Sequence, residues 1–248
     1  MQSIVQQLAT SYQRHGRGRQ LLVLHGWGDD SRSWQVFAKQ LSRSYEVVLV
    51  DLPGFGGSEA PKSAWGLTEY ATFVADFAAK AGLKPYAILG HSNGGAIALR
   101  AAAQRLLLPD KLILLASAGI RESSNRKTAL RLLAKAGKLA AAPLPSRMRQ
   151  KLRRSLYRAA GSDMLLAEHM QETFKRVVGE DVRADASSVT IPTLLVYGED
   201  DTATPVRYGQ LLADCIKGSR LERVPGAGHF LQVDKPELVG QLIREFLQ

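Results

Sequence analysis

A serine enclosed by glycines is the feature of this 248-residue chain with the clearest chemical potential. The apolar run 86–89 ends at the sequence Gly-His-Ser-Asn-Gly (residues 90–94), and an alanine-rich stretch follows. This pattern predicts a strand, a sharp turn that carries Ser92, and a helix. Glycine is needed on both sides of the turn because a strained backbone leaves no room for side chains there. Such a turn would hold the Ser92 hydroxyl toward a substrate, and the N–H of Asn93 would face an oxyanion.

A serine hydroxyl is a poor nucleophile at neutral pH, so it needs a base, and the base needs an acid to orient it. His229 is the expected base, because the small residues of Gly-Ala-Gly-His-Phe (226–230) would let a loop bring its imidazole over a sheet edge. Two adjacent carboxylates, Asp200 and Asp201, follow another apolar run and are candidates for the acid.

Apolar runs and helical periodicity alternate along the chain. Because this alternation predicts parallel strands joined by right-handed crossovers, residues that follow strands should gather at one edge of the sheet. Two strands are expected within residues 10–25, joined by a hairpin turn at Gly16-Arg17-Gly18. The further strands predicted are Tyr45–Asp51, a strand that ends before Ser92, Leu112–Ala116, Thr193–Tyr197 and Leu221–Val224. The helices predicted are Trp34–Ser42, Leu67–Ala81 with Thr68 as N-cap and Gly82 as its stop, Val206–Lys217 and Lys235–Leu247.

The order serine, aspartate, histidine, with His-Gly-Trp-Gly (25–28) before them, resembles the α/β-hydrolase superfamily. The resemblance implies an α/β fold with a mostly parallel central sheet flanked by helices, and an inserted helical cap. The core would comprise residues 1–120 and 186–248, and the cap residues 121–185. The family pattern Gly-x-x-Asp, with a proline four residues later, selects Asp201 as the acid.

The same resemblance assigns the remaining site residues. The second oxyanion donor would be the backbone N–H of Trp27, whose ring would line the pocket mouth, and His91 would also contact substrate. His-Gly-Trp-Gly and Asp-Leu-Pro-Gly-Phe-Gly (51–56) are similar to pimeloyl-carrier-protein methyl ester carboxylesterases. The implied function is hydrolysis of a carboxylic ester or thioester through an acyl-enzyme on Ser92, with His229 and Asp201. Carbon–carbon bond hydrolysis and a non-catalytic ligand-binding protein of the same fold remain alternatives.

Several classes are disfavoured by the residues present. Ser92 occupies the position that aspartate takes in haloalkane dehalogenases and epoxide hydrolases of this fold. The glycine-rich loop 54–57 lacks the Lys-Ser/Thr of a phosphate-binding loop, and no metal or nucleotide cluster stands out, so no cofactor is expected. The single cysteine, Cys215, excludes a disulfide framework. The first 20 residues lack the apolar core of a signal peptide, and no run approaches the ~18 apolar residues of a spanning helix, which favours the cytoplasm.

The positive charge of the chain is concentrated in one segment. The net charge is +10, and residues 121–158 carry twelve Lys or Arg against one acidic residue, so this segment is +11 and the remainder is −1. A basic cap would fit an acidic acyl carrier protein or an anionic membrane surface. Nucleic acid is a less suitable partner because few aromatic residues accompany the charge.

Overall fold

One mixed sheet forms the centre of the computed structural model, which describes residues 1–121 and 168–248. Its strands are β1 (Gln2–Val5), β2 (Leu8–His15), β3 (Gln20–Leu24), β4 (Glu46–Val50), β5 (Ala87–His91), β6 (Lys111–Leu115), β7 (Thr193–Gly198) and β8 (Arg220–Val224). Within the described residues these eight strands have the order β1-β2-β4-β3-β5-β6-β7-β8. β1 pairs antiparallel with β2 and β2 with β4, and every other neighbouring pair is parallel. The predicted mostly parallel sheet is confirmed.

Helices cover both faces of this sheet. They are α1 (Gln35–Leu41), α2 (Leu67–Lys80), α3 (Asn93–Ala103), a 3₁₀ turn (Glu168–Met170), α4 (Gln171–Val177), α5 (Arg183–Ser188), α6 (Val206–Cys215), α7 (Leu231–Asp234) and α8 (Pro236–Leu247). Alternate residues of each strand point to opposite faces, so Leu22 and Leu24 join α2, α3 and α6 in one apolar cluster. Leu21 and Val23 pack with α1 and α8 in the other. The central strands β3 to β7 are therefore buried on both sides, as parallel strands require, whereas the edge strands β1 and β8 are largely exposed.

The carboxyl ends of the parallel strands carry the candidate residues. The loop 25–28 follows β3, Ser92 follows β5, Asp201 lies three residues after β7, and His229 lies five residues after β8. The topology thus brings the residues that sequence analysis selected to the same edge of the sheet.

The predicted hairpin between the first two long strands is wrong. Both strands form, but β4 lies between them: Tyr12 of β2 is paired with Val50, and Leu21 of β3 is paired with Val47. Gly16 does make a turn, with φ of +79°, and a side chain there would collide with the loop that leads into β4. Glycine is therefore needed at position 16 because two loops pass close to each other there, and not because the chain forms a hairpin.

Thr68 is not the N-cap of α2. The helix is capped at Gly66, whose N–H donates to the Glu69 carboxylate at 2.8 Å. The Thr68 hydroxyl instead accepts a hydrogen bond from Arg100 of α3 at 2.7 Å. Gly82, with φ of +65°, ends the helix as predicted.

The predicted cap lies mainly outside the described residues. Its two proline breaks, at Pro143 and Pro145, and its basic helices fall in 122–167. Of the predicted cap, 121–185, the structure describes residue 121 and residues 168–185, which contain the 3₁₀ turn, α4 and the start of α5. Arg100 of α3 holds this part by ion pairs with Glu180 and Asp185 at 2.9 Å each. In the part of the chain that the structure covers, no helix has both the length and the hydropathy needed to cross a bilayer.

Candidate active site

Ser92 lies in a strained turn between β5 and α3. Its backbone has φ of +51° and ψ of −118°, a conformation that L-residues rarely adopt and that costs of order 1–3 kcal/mol. A Cβ on Gly90 would collide with the Gly94 carbonyl oxygen, and a Cβ on Gly94 would collide with that of Leu24. The close packing of three backbone segments therefore explains both glycines and fixes the serine in place.

An imidazole and a buried carboxylate lie next to this turn. His229 Nδ1 donates to Asp201 Oδ2 at 2.8 Å, and Asp201 is only 4% exposed. Asp201 Oδ1 accepts the backbone N–H groups of Ala203 and Thr204 at 2.8 and 2.9 Å. Burial alone would raise the pKa of Asp201, but the hydrogen bonds from His229 and Thr204 outweigh burial and hold the pKa below its usual value. Asp201 is therefore ionised at neutral pH and orients the imidazole.

Asp200, the other candidate acid, differs from Asp201 in both its exposure and its hydrogen bonds. Its side chain is exposed, and the hydrogen bond it makes is from its backbone N–H to the Ala227 carbonyl at 3.0 Å. The structure thus pairs the imidazole with Asp201 and leaves Asp200 on the surface.

Ser92 and His229 line a common cavity of about 220 Å³. Its other walls combine polar side chains, such as Arg121, Glu180 and Thr204, with apolar or aromatic ones: Trp27, Ala96, Ile120, Phe174, Val177 and Tyr208. Among the described residues, the Ser92 hydroxyl makes no hydrogen bond to His229. Such contacts commonly tighten only when substrate is bound. The cavity offers a partly apolar space beside a hydroxyl and an imidazole.

Two backbone N–H groups beside Ser92 have no acceptor within the described part of the chain. They belong to Trp27, in the loop after β3, and to Asn93, the first residue of α3, and both residues line the cavity. An N–H at a helix start carries partial positive charge. The two groups are the ones that the sequence analysis expected to bind an oxyanion, and within the described residues neither is used by another acceptor.

His25 holds the loop that presents Trp27. Its Nδ1 donates to the Gly26 carbonyl at 2.8 Å, and its Nε2 accepts the Leu52 N–H at 2.9 Å. Burial lowers the pKa of His25, which keeps the ring neutral. One side chain thereby fixes both the loop after β3 and the loop after β4.

His91 does not lie on the cavity, although the sequence analysis placed it in the substrate pocket. It is 1% exposed, and its Nε2 donates to the backbone carbonyl of His229 at 2.9 Å. The two imidazole rings are 4.9 Å apart. Burial, together with the nearby charge of His229, lowers the pKa of His91 to about 4. His91 is therefore a neutral ring that supports the His229 loop.

The Trp27 ring, in contrast, does lie on the cavity wall. It packs between Phe55 and Phe174, with ring centres 4.9 and 5.1 Å away. Phe174 belongs to α4, so this contact closes one side of the cavity with a residue from the segment after 167.

Sequence reasoning missed several residues that the structure brings here. Phe174, Val177 and Tyr208 carry no motif, and helical periodicity cannot show which cavity a helix will face. Thr204 was also missed, although its hydroxyl lies 2.7 Å from Asp201 Oδ2. The feature of the sequence that could have identified Thr204 is its position three residues after the expected acid, Asp201.

No metal site accompanies these groups in residues 1–121 and 168–248: no group of three or more His, Cys, Asp and Glu side chains there could hold an ion. The cavity edge carries Arg121 and Glu180, and Glu180 is engaged by the Leu67 N–H and by Arg100.

Comparison with known proteins agrees with this architecture. The chain is 31% identical over 240 residues to a pimeloyl-[acyl-carrier protein] methyl ester esterase of Chromobacterium violaceum, covering 86% of this chain and 88% of that protein. The crystal structure of a membrane phospholipase A, described as a bacterial virulence factor, superposes with a TM-score of 0.78 at 26% identity, covering 100% of this chain and 84% of that one. A meta-cleavage product hydrolase from Pseudomonas fluorescens IP01 shares the fold, with a TM-score of 0.76 at 19% identity over 99% of this chain and 96% of that one. The model of the alpha/beta hydrolase family matches residues 21–242, and the chain belongs to that family.

Proposed function

We propose that this protein is a serine hydrolase that cleaves a carboxylic ester or thioester through an acyl-enzyme on Ser92. The observation that carries the proposal is that Trp27 and Asn93, whose backbone N–H groups have no acceptor among the described residues, line the same cavity as Ser92 and His229, with His229 bonded to Asp201. Such donors stabilise a transition state most strongly where negative charge develops on a carbonyl oxygen.

In the proposed first half-reaction the Ser92 hydroxyl attacks the substrate carbonyl. His229 Nε2 takes the hydroxyl proton, and Asp201 stabilises the imidazolium that results. The carbonyl oxygen becomes an oxyanion and accepts the N–H groups of Trp27 and Asn93. Collapse of the tetrahedral intermediate expels the alcohol or thiol, which takes the proton back from His229.

In the proposed second half-reaction a water molecule takes the place of the leaving group. His229 accepts a proton from the water, whose oxygen attacks the acyl carbonyl. The intermediate collapses with release of the carboxylic acid, and the proton returns to Ser92 Oγ. The same residues thus serve both steps, and no cofactor is needed for either.

The described part of the cavity has room for a small acyl group. Its volume, about 220 Å³, exceeds the ~150 Å³ of a dry apolar cavity that accommodates benzene. Trp27, Ile120 and Phe174 are among the apolar side chains that line this space. Short acyl esters are therefore the first substrates to test.

The test is turnover of p-nitrophenyl butyrate by the wild type and by Ser92→Ala. Loss of the nucleophile should lower kcat by more than about 10³-fold. Ser188→Ala is a matched control, because the hydroxyl of this exposed serine donates only to the Asp185 carbonyl, at 2.8 Å on α5. It should retain wild-type kcat.

Two outcomes would favour the alternatives. Carbon–carbon bond hydrolysis uses the same residues on a ketone carbonyl, so a diketone with a higher kcat/KM than any ester would move the assignment to that class. A well-folded protein that hydrolyses neither would be the non-catalytic member of the fold.

A further inference from the structure

Thr204 contacts both members of the acid–base pair. It lies three residues after Asp201, is 5% exposed and lines the cavity. Its Oγ1 is 2.7 Å from Asp201 Oδ2, 2.9 Å from the Ala116 carbonyl oxygen and 3.1 Å from His229 Nδ1. A buried hydroxyl therefore forms a triangle with the carboxylate and the imidazole.

Counting protons shows how the triangle is arranged. A hydroxyl has one proton to donate and two lone pairs that accept. His229 Nδ1 carries a proton because its neighbour at 2.8 Å is the ionised Asp201. This Nδ1–H accordingly lies between two oxygen acceptors, Asp201 Oδ2 and Thr204 Oγ1. The hydroxyl proton of Thr204 is left for Asp201 or for the Ala116 carbonyl.

A second acceptor restricts the imidazole more than a carboxylate does alone. A carboxylate offers several lone-pair sites, so a ring that is bonded only to Asp201 can swing and keep its hydrogen bond. With oxygens 2.8 and 3.1 Å from the same nitrogen, the ring plane is fixed from two directions. Because Nε2 lies across the ring from Nδ1, the plane decides whether Nε2 faces Ser92.

We propose that Thr204 is a positioning residue for His229, and that its hydroxyl holds the imidazole in the plane that directs Nε2 at Ser92. The inference rests on the proposed function, because it takes His229 as the base. When His229 becomes an imidazolium, the hydroxyl can donate to Ala116 and turn a lone pair toward the charged Nδ1–H.

If the Thr204 hydroxyl had only a structural role, we would expect a different result. The bond to Ala116 also ties the loop 199–205 to the end of β6. If that tie were the whole role of the hydroxyl, its loss would lower the melting temperature and leave kcat of the folded protein unchanged.

The test compares Thr204→Val, which keeps the shape and removes the hydroxyl, with Thr204→Ser, which keeps the hydroxyl. We measure kcat and KM for p-nitrophenyl butyrate, and Tm, for each variant. Thr204→Val should lower kcat by about 10- to 100-fold with KM within about twofold, because hydrogen bonds to charged groups are among the stronger ones. This loss corresponds to about 1.4 to 2.7 kcal/mol at 1.36 kcal/mol per factor of ten. Thr204→Ser should restore kcat to within about threefold of the wild type.

Thr10→Val is the matched control. Thr10 is fully buried in β2, away from the cavity, and its hydroxyl donates to the Leu8 carbonyl at 3.1 Å. Its loss should lower Tm and leave kcat unchanged.

The inference is overturned if Thr204→Val keeps kcat within threefold of the wild type, or if Thr204→Ser is as slow as Thr204→Val. Should Thr204→Val not fold, Thr204→Ala and Thr204→Ser differ only in the hydroxyl oxygen and give the same comparison. Failure of the proposed function is a separate result, since turnover that survives Ser92→Ala would remove it whatever the Thr204 variants show.

Discussion

Replacing Asp201 by asparagine should reverse the imidazole tautomer, and the structure shows which way the new amide would turn. The backbone N–H groups of Ala203 and Thr204, 2.8 and 2.9 Å from Oδ1, require an acceptor at that position. The amide oxygen of Asn would take it, which leaves the NH₂ group in the place of Oδ2, facing His229 Nδ1. A donor there favours the ring with its proton on Nε2, and such a ring cannot accept the proton of Ser92.

The expected loss in kcat is about 10⁴-fold, the size seen when the same change is made in the serine-protease triad. At 1.36 kcal/mol per factor of ten this is about 5.5 kcal/mol of transition-state stabilisation. Steady-state hydrolysis of p-nitrophenyl butyrate measures it, with Asp200→Asn as control. The exposed Asp200 should change kcat by less than about twofold. A kcat for Asp201→Asn within tenfold of the wild type, or a greater loss in Asp200→Asn, would refute the reasoning.

Three further predictions concern stability and charge. Ser92→Gly should be about 1 kcal/mol more stable to urea than Ser92→Ala, because glycine relieves the strain of φ +51° and alanine does not; equal stability would mean that the turn is unstrained. Burial lowers the pKa of His91 from 6.5 to about 4, so the unfolded chain takes up a proton that the folded chain does not, and stability should fall by about 3 kcal/mol as the pH drops from 6.5 to 4. In urea titrations at several pH values, the free energy of unfolding of His91→Phe should lose this part of its pH dependence. The same dependence on pH in His91→Phe and the wild type would contradict the prediction. Residues 121–158 carry a charge of +11, so an acidic partner of this segment should bind less tightly as salt is added. We expect kcat/KM for an acyl-carrier substrate, or binding to anionic liposomes, to fall steeply with salt, whereas turnover of a neutral ester should not. If none of the three changes with salt, this segment has no partner role.

The sequence predicted most strands and the loops that follow them because these features are local. Apolar runs such as Val47–Val50 show a buried strand, and the glycines around Ser92 show a turn that no other residue could make. Because the strands are mostly parallel, the candidate functional residues that follow them all lie at one edge of the sheet.

What the sequence could not show depends on contacts between distant residues. The glycines at 16 and 18 signal a turn, but nothing near them reveals that β4 comes between β2 and β3. The start of α2 is set partly by Glu180, which accepts the Leu67 N–H across 113 residues of chain. The sequence analysis placed His91 in the pocket, but side chains alternate along a strand, and β5 turns this ring toward the His229 loop.

The central claim is that Ser92 is the nucleophile, and covalent labelling tests it most directly. A fluorophosphonate probe should add one adduct to the wild-type protein, and peptide mass spectrometry should find it on Ser92. Ser92→Ala should remain unlabelled, and Asp201→Asn should be labelled far more slowly. An adduct on another residue, or equal labelling of Ser92→Ala, would contradict the account.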